Sequence, residues 1–410
     1  MDINILRKYA ELIAKSGIAI MPGQYVVIRT APEQLEFLEM LVEECYKAGA
    51  GKVIVEWRYQ PFTCLAVKYE DDETLGTVTS YEEEMLKFKC NHLPASIYLC
   101  SEDPDGLSGM DQDKWSRAQQ ERYKITRPYS DEMENKYQWC VAAVPGVKWA
   151  RKVFPGLSDA EAVEKLWQAI ISCSRAESEP IETWKEHSAQ LHKRCQWLNS
   201  LNLTRLEYKS ESSGTDFSVG LMPEMLFCGG SEKLLGHEDV YFNANIPSEE
   251  VFTTPRSGDA EGVVYSTMPL SYRGVLIENF SLRFENGRVV EAHAEKNEEA
   301  LKLMLAMDEG ASMLGECAFV PWNSPIRESG ILFYETLFDE NASCHLALGA
   351  GYSSCLKDFE KYSVDEAREL GVNDSMIHED FMIGAPDLSI VGICADGSRV
   401  QIFKDGNWAD

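Results

Sequence analysis

Residues 23–58, GQYVVIRTAPEQLEFLEMLVEECYKAGAGKVIVEWR, decide the fold class of the N-terminal half. Gly23–Arg29 is a short apolar run typical of a buried strand, and Lys52–Arg58 is a second one. Between them, the run that Pro32 opens and Gly49 closes places apolar residues on one helical face. A strand, a helix and a strand in succession form a βαβ unit, whose two strands lie parallel in one sheet. We therefore expect an N-terminal α/β domain with a mostly parallel sheet.

The second half of the chain carries the signals of β-hairpins instead. Asn286-Gly287 separates the strand-like runs FSLRF and RVVEAHA, and Asp396-Gly397 separates LSIVGICA from RVQIF. The last long helical pattern ends shortly before residue 200. We therefore expect an N-terminal α/β domain over residues 1–195 and a C-terminal α+β domain, with antiparallel strands and the catalytic site, over residues 196–410.

Composition and charge exclude several classes of protein. Lysine and arginine number 39 against 67 aspartates and glutamates, for a formal charge of −28. Such a surface repels phosphate backbones and anionic lipids, so we expect neither a nucleic-acid nor a membrane partner. The opening residues, MDINILRKYAELIAKSGIAIM, predict an amphipathic helix rather than a signal peptide. The 12 cysteines form no C-x-x-C motif or regular framework, so we expect a cytoplasmic protein without disulfides.

Two histidines lie close to carboxylates in stretches that predict strands. In MIHEDFMIG, strand alternation would place His378 and Asp380 on one face. His345 begins the apolar run HLALG, and Glu340 precedes it across a short turn sequence. Tyr352 lies at the far end of the same stretch and is interpreted either as a core aromatic or as a hydrogen-bond donor to developing negative charge. Taken alone, H-x-D is a common pattern that usually has no metal-binding role.

Two further glutamates occur among apolar residues. Glu316 lies in MLGECAFVPW, and the pair Glu249-Glu250 lies in IPSEEVFTTP, where an exposed turn is the other interpretation. A buried carboxylate is costly unless it is paired or bound to a metal ion. Two imidazoles with several carboxylates suit Zn²⁺, Co²⁺ or Mn²⁺ and exceed what one tetrahedral ion requires. The residues alone thus indicate a dinuclear metal hydrolase, with two ions sharing a bridging carboxylate.

Several of these stretches occur in the same order in a known family. IPSEEVFTTP, ENFSLRFENGRVVEAHAEKN, ETLFDENASCHLALGAGY and MIHEDFMIG resemble the M29 peptidases, a family of dinuclear metalloaminopeptidases. The resemblance implies six metal ligands, which are Glu250, Glu316, Glu340, His345, His378 and Asp380. Glu316, in the LGE segment, is the candidate for the ligand that bridges the two ions. It also implies that Tyr352 stabilises the transition state.

The resemblance implies an activity as well. Two divalent ions, zinc or cobalt with manganese or magnesium as further options, would promote hydrolysis of the N-terminal bond of a short peptide that has a free amino terminus. Glu316 is the first choice for the carboxylate that carries the proton to the leaving amine, and Glu249 is the second. The family also implies a homodimer. The alternatives are a dinuclear phosphoesterase and a non-catalytic peptide-binding protein of the same fold.

Overall fold

The computed structural model describes residues 1–409, which form two compact units. The first unit comprises Met1–Ser188 together with Ser231–Ser248, and the second comprises Ala189–Gly230 and the chain from Glu249 onward. The helix Pro180–Ser200 contains both residue 188 and residue 195. The domain boundary after residue 195 stays a prediction.

The first unit is built on a parallel sheet, as the βαβ pattern predicted. All strand pairs of this sheet are parallel, and its strands lie in the order Lys52–Trp57, Tyr25–Thr30, Ala95–Cys100, Trp139–Ala143. The central strand Tyr25–Thr30 carries Val26, Val27 and Ile28, which are buried because both faces of the sheet are covered. A two-stranded antiparallel ribbon, Glu232–Lys233 with Tyr241–Phe242, belongs to the same unit.

Helices make up most of the rest of this unit. Their bounds, after the helix and π-turn that open the chain (Ile3–Leu12 and Ile13–Gly17), are Leu35–Lys47, Gln60–Tyr69, Asp72–Gly76, Ser80–His92, Gln112–Met133, Val147–Val153, Asp159–Cys173 and Pro180–Ser200.

Some of these helices had no clear apolar periodicity in the sequence. Ser80–His92 buries none of its residues and is instead stabilised at its start by a capping box between Thr79 and Glu82. The helix Gln112–Met133 buries Ala118 and Met133 and contains Pro128. A prediction that relies on a buried stripe misses helices that lie at the surface.

The second unit contains a nine-stranded antiparallel sheet, which confirms the expected α+β class. Both predicted hairpins are present, the first across Asn286-Gly287 and the second across Asp396-Gly397. The strands lie in the order Leu270–Tyr272, Val275–Glu285, Pro255–Tyr265, Asp216–Leu221, Leu203–Lys209, Ser389–Cys394, Arg399–Lys404, Asn407–Trp408, and Arg288–Lys296 pairs with Val275–Glu285.

Short helices connect the strands of this unit. Their bounds are Glu298–Leu305, Pro325–Glu328, Thr336–Asp339 and Val364–Leu370, with 3₁₀ turns at Gly310–Ser312, Glu340–Ala342, Ser353–Cys355 and Phe359–Lys361.

A second, four-stranded antiparallel sheet in this unit is called the site sheet below. Its strands lie in the order His378–Met382, His345–Gly349, Leu314–Phe319, Val251–Thr253. The two strands in the middle, His345–Gly349 and Leu314–Phe319, are buried at every position. Polar side chains on these strands are therefore removed from water and require partners.

Two further observations concern the whole described chain. No helix among residues 1–409 is both long and apolar enough to span a membrane. The 12 cysteines are free thiols in the structure.

Candidate metal centre

The register of the site sheet gathers the predicted ligands on one face. Ala347 lies opposite Glu316 on one neighbouring strand and opposite Asp380 on the other. Side chains directly opposite each other in an antiparallel sheet project to the same side, as do residues two apart along a strand. His345, two residues before Ala347, and His378, two residues before Asp380, therefore share this face. The small side chain of Ala347 leaves space between the four polar groups.

The fourth strand brings Glu250 to the same place. Phe252 pairs with Ala318, which itself pairs with His345. Glu250 lies two residues before Phe252 and follows the same alternation. Its carboxylate Oε2 is 3.2 Å from Nε2 of His345.

Five side chains form two overlapping groups of three, because one of the five belongs to both groups. Within each group the ligand atoms lie within 4.8 Å of one another. One group comprises Glu250, Glu316 and His345, and the other comprises Glu316, His378 and Asp380. Glu316 belongs to both, and its Oε2 lies 3.0 Å from Nε2 of His378. The carboxylate of Glu316 is thus within reach of the ligand atoms of both groups.

Both imidazoles are held in the tautomer that a metal ligand needs. Nδ1 of His345 lies 3.1 Å from the carbonyl oxygen of Ser343, and Nδ1 of His378 lies 2.7 Å from that of Ala350. A carbonyl only accepts hydrogen bonds, so each Nδ1 carries the proton. Once Nε2 has lost its proton, its lone pair is directed toward the carboxylates. Such a backbone anchor on the distal nitrogen is usual for metal-binding histidines.

The clustering of buried charge shifts the pKa values of these groups. Burial raises the pKa of Glu316 to about 7, and the neighbouring carboxylates of Glu250 and Asp380 add to this rise. Burial lowers the pKa of His345, but the hydrogen bond and charge of Glu250 outweigh it and raise the pKa to about 9. The cluster therefore holds protons at neutral pH in the absence of a metal ion.

Glu340 lies beside the two groups without belonging to either. It is buried, its carboxyl contacts that of Asp380, and its Oε1 accepts a hydrogen bond from Nδ2 of Asn341 at 3.3 Å. Burial, followed by the charges of Asp380 and Glu250, raises the pKa of Glu340 well above its usual value. Two carboxyl groups in contact need either a shared proton or a cation between them.

One atom of the cluster lacks a hydrogen bond. Oδ1 of Asp380 is fully buried and no donor reaches it with acceptable geometry, although Nε2 of His378 lies 3.5 Å away. An unsatisfied buried carboxylate oxygen is costly and rare. Four buried carboxyl groups beside two imidazoles also need either protons or cations to balance their charge. Both features are resolved by divalent cations, so the residues present fit a metal centre.

Tyr352 lies against one of the histidines. Its hydroxyl is 3.1 Å from Nε2 of His378, and its ring packs on Phe252 with 5.5 Å between the ring centroids. Burial and the charges of Glu316 and Asp380 raise the pKa of Tyr352 well above its usual value. The phenol therefore stays protonated at neutral pH and can donate a hydrogen bond beside the carboxylate cluster.

Two residues that the sequence reasoning did not single out hold these segments in place. Oδ1 of Asn341, which is fully buried, accepts a hydrogen bond from the backbone N–H of Glu249 at 2.6 Å. The hydroxyl of Thr254 makes two hydrogen bonds to the backbone of Tyr352. Both residues lie inside stretches that matched the family. Glu249 itself is buried and lies outside the two groups of three ligands.

Several known proteins that are similar along nearly the whole chain are named aminopeptidases. The chain is 40% identical over 407 residues to aminopeptidase AmpS of Bacillus subtilis (strain 168), covering 98% of each chain. It is 37% identical over 406 residues to aminopeptidase 2 of Geobacillus stearothermophilus, covering 98% of this chain and 97% of the relative. The structure of wild-type AmpT from Thermus thermophilus superposes with a TM-score of 0.88 at 34% identity, covering 99% of both chains.

The family resemblance inferred from the short stretches is thereby confirmed along the chain. The profile of the peptidase M29 family, described as thermophilic metalloproteases, matches residues 3–408. The chain belongs to the M29 family of metalloproteases.

Proposed function

We propose that this protein is a metal-dependent aminopeptidase that removes the first residue of short peptides at a dinuclear centre. Three aminopeptidases that share its family and nearly its full length support the activity. The observation that carries the dinuclear assignment is that Glu316 belongs to both groups of three ligand side chains.

The charge of the site supports two ions rather than one. Glu250, Glu316, Glu340 and Asp380 contribute four negative charges, and the imidazoles are neutral when Nε2 is a ligand. Two divalent cations balance these charges, whereas one leaves a buried excess of negative charge. We propose that Glu250 and His345 hold one ion, that His378 and Asp380 hold the other, and that Glu316 bridges them. Glu340 completes the set from beside Asp380.

Nitrogen and oxygen ligands in this proportion suit zinc or cobalt, with manganese or magnesium as further options. When bound, the two ions would activate a water molecule for attack and polarise the peptide carbonyl. The protein's own groups have separate tasks. Tyr352 donates a hydrogen bond to the oxygen that becomes negative in the transition state. Glu316, or Glu249 as the second choice, carries the proton to the leaving amine.

The electrostatics of the site favour a peptide over a phosphate ester. No lysine or arginine among residues 1–409 forms an ion pair with any of the proposed ligands, whose only ionic partners are each other. Phosphoesterases usually bind their anionic substrate with arginine or lysine. The described ligands thus have no cationic side chain beside them to bind the negative charge of a phosphate ester.

Hydrolysis of a dipeptide and of its N-acetylated form tests this function. We expect release of free amino acid from the dipeptide alone, loss of activity after treatment with a chelator, and recovery on addition of Zn²⁺ or Co²⁺. Hydrolysis of p-nitrophenyl phosphate with no peptidase activity would instead identify the phosphoesterase. Peptide binding without turnover of any substrate would identify the non-catalytic alternative.

We further propose a homodimer in the cytoplasm. The free thiols suit a reducing compartment, and the family resemblance supports the dimer. Sedimentation equilibrium of the purified protein tests the oligomeric state, with a mass of twice 46.2 kDa as the expected result.

A further inference from the structure

The side chain of Thr254 forms two hydrogen bonds to the backbone of Tyr352, although the two residues are 98 positions apart in the sequence. The backbone N–H of Tyr352 donates to Oγ1 of Thr254 at 2.8 Å, and the same hydroxyl donates to the carbonyl oxygen of Tyr352 at 3.1 Å. Thr254 is 0% exposed and directly follows the strand Val251–Thr253. One hydroxyl thus hydrogen-bonds to both the backbone N–H and the carbonyl oxygen of the same residue.

Tyr352 needs such a partner because it lies outside the sheet. The strand His345–Gly349 has already ended, and the 3₁₀ turn Ser353–Cys355 begins at the next residue. Its N–H therefore has no strand partner, and a buried N–H without a partner is costly. The hydroxyl of Thr254 therefore provides the hydrogen-bond partner that a neighbouring strand provides within the sheet.

The methyl group of Thr254 has a second contact in the same loop. A Cβ atom added to Gly351 would lie 2.7 Å from Cγ2 of Thr254, so the glycine allows the two segments to approach closely. Gly351 is fixed independently, because its N–H donates to the carbonyl oxygen of Asn373 at 2.9 Å. The hydroxyl and the methyl of Thr254 thus restrain adjacent residues of one loop.

We propose that Thr254 is a positioning residue, which sets the place of the Tyr352 hydroxyl at the metal centre through the tyrosine backbone. The proposal rests on the role assigned to Tyr352 under the proposed function. The phenol oxygen lies 3.1 Å from Nε2 of His378, so a shift of the backbone moves the donor relative to the ligands. Misplacement of a reacting group by about 1 Å costs on the order of 100-fold in rate.

Two substitutions separate the contributions of the hydroxyl and the methyl. Thr254→Val keeps the shape and removes both hydrogen bonds, and we expect kcat to fall roughly 10- to 100-fold with little change in KM. Thr254→Ser keeps the hydroxyl and should retain most of the activity. If Thr254→Val fails to fold, Thr254→Ala removes the same two hydrogen bonds without placing a methyl against the N–H of Tyr352.

The preceding residue provides a matched control. Thr253 is also 0% exposed, and its hydroxyl donates to the carbonyl oxygen of Leu226 at 2.9 Å, with no bond to Tyr352. Thr253→Val therefore removes a buried hydroxyl from the adjacent residue without removing a hydrogen bond to the tyrosine. We expect it to lower thermal stability by an amount similar to Thr254→Val while kcat stays within about twofold.

A double-mutant cycle tests whether Thr254 acts through Tyr352. If it does, Thr254→Val should cost little further activity in a Tyr352→Phe background, because the hydroxyl that it positions is already absent. Full additivity of the two losses would overturn the proposal. Loss of bound metal in Thr254→Val would also overturn it, because the effect would then arise at the ligands.

A binding measurement gives a readout that does not depend on turnover. A dipeptide analogue with a phosphinate in place of the scissile amide resembles the transition state, and its affinity should fall with Thr254→Val by the same factor as kcat. The affinity for the dipeptide product should not change. Failure of the proposed function is distinguishable, since the parent protein would then release no amino acid from the dipeptide. Failure of the role assigned to Tyr352 is distinguishable too, since Tyr352→Phe would then retain full activity. If Tyr352→Phe is impaired and Thr254→Val is not, only the positioning role of Thr254 is contradicted.

Discussion

The phenol oxygen of Tyr352 lies 3.1 Å from Nε2 of His378, the same nitrogen that faces Oε2 of Glu316 at 3.0 Å. A protonated hydroxyl is thereby placed at the edge of the carboxylate cluster. In the deprotonated state that binds metal ions, the cluster itself consists of acceptors and lone pairs. Among the described site residues, Tyr352 is the neutral hydrogen-bond donor available to an oxygen that gains negative charge.

Tyr352→Phe should therefore lower kcat by roughly 100- to 1,000-fold, in the range found when one donor to an oxyanion is removed. KM and metal content should change little, because the ring still packs on Phe252 and no ligand is lost. Steady-state kinetics with metal analysis by mass spectrometry check both expectations. If KM rose by this factor while kcat stayed unchanged, the hydroxyl would instead contribute to binding of the substrate in its ground state.

The metal content of ligand variants should follow the two overlapping groups. His345→Ala and His378→Ala should each retain about one of two ions, since each removes a ligand from one group only. Glu316→Gln should weaken the binding of both, because this carboxylate is common to the groups. His237→Ala, an exposed histidine in the first unit, serves as the control and should keep both ions. Full metal content and activity in Glu316→Gln would contradict the bridging role.

The proton shuttle can be separated from the ligands in the same series. A residue that only transfers protons should lose activity on substitution and keep its metal. If Glu249→Gln behaves in this way and Glu316→Gln loses metal, the shuttle is Glu249. If Glu249→Gln is fully active, the assignment to Glu316 stands.

Metal affinity should rise with pH across the neutral range. In the metal-free protein the pKa of Glu316 is raised to about 7 and that of His345 to about 9. Both groups must lose a proton before they bind a cation, so each ion competes with protons at low pH. Calorimetry at pH 6 and pH 8, in buffers of different ionisation enthalpy, should show tighter binding at the higher pH and net proton release. Affinity independent of pH would contradict this prediction.

A second pH effect concerns stability and lies away from the ligands. Asp387 accepts hydrogen bonds from Oγ of Ser212 at 2.6 Å and of Ser210 at 2.7 Å, and these bonds lower its pKa to about 2. A carboxylate whose pKa is depressed in the folded state adds stability above its unfolded pKa of about 3.9. This contribution disappears as the pH falls toward 2.

Asp387→Asn should therefore be less stable than the parent protein at pH 6, and the difference should shrink as the pH is lowered from 4 to 3. Urea unfolding of both proteins at a series of pH values measures it. Asp405→Asn is a suitable control, since Asp405 is exposed and its carboxylate accepts no hydrogen bond from residues 1–409. If the difference in stability between the two proteins were the same at every pH, the contribution of Asp387 to stability would not depend on its charge.

Local patterns in the sequence determined much of the architecture. Asn286-Gly287 specified a hairpin because both residues adopt the positive φ that a tight turn requires, and the structure has this turn. Alternation along a strand placed His378 and Asp380 on one face, and their side chains meet in the structure. These features depend on residues a few positions apart. The surface helix Ser80–His92 escaped prediction because it has no buried stripe.

Only the tertiary structure decided which distant residues meet. The pairing of Ala347 with both Glu316 and Asp380 places carboxylates from two strands beside each other, and a shift of one residue would turn them to opposite faces. The same holds for Thr254 and Tyr352, which are 98 residues apart. Hydrogen bonds between such segments depend on the register of whole strands, and that register is fixed by the packing of the core. The sequence by itself determined the kinds of ligand and the class of fold, whereas strand pairing determined that the ligands form one centre.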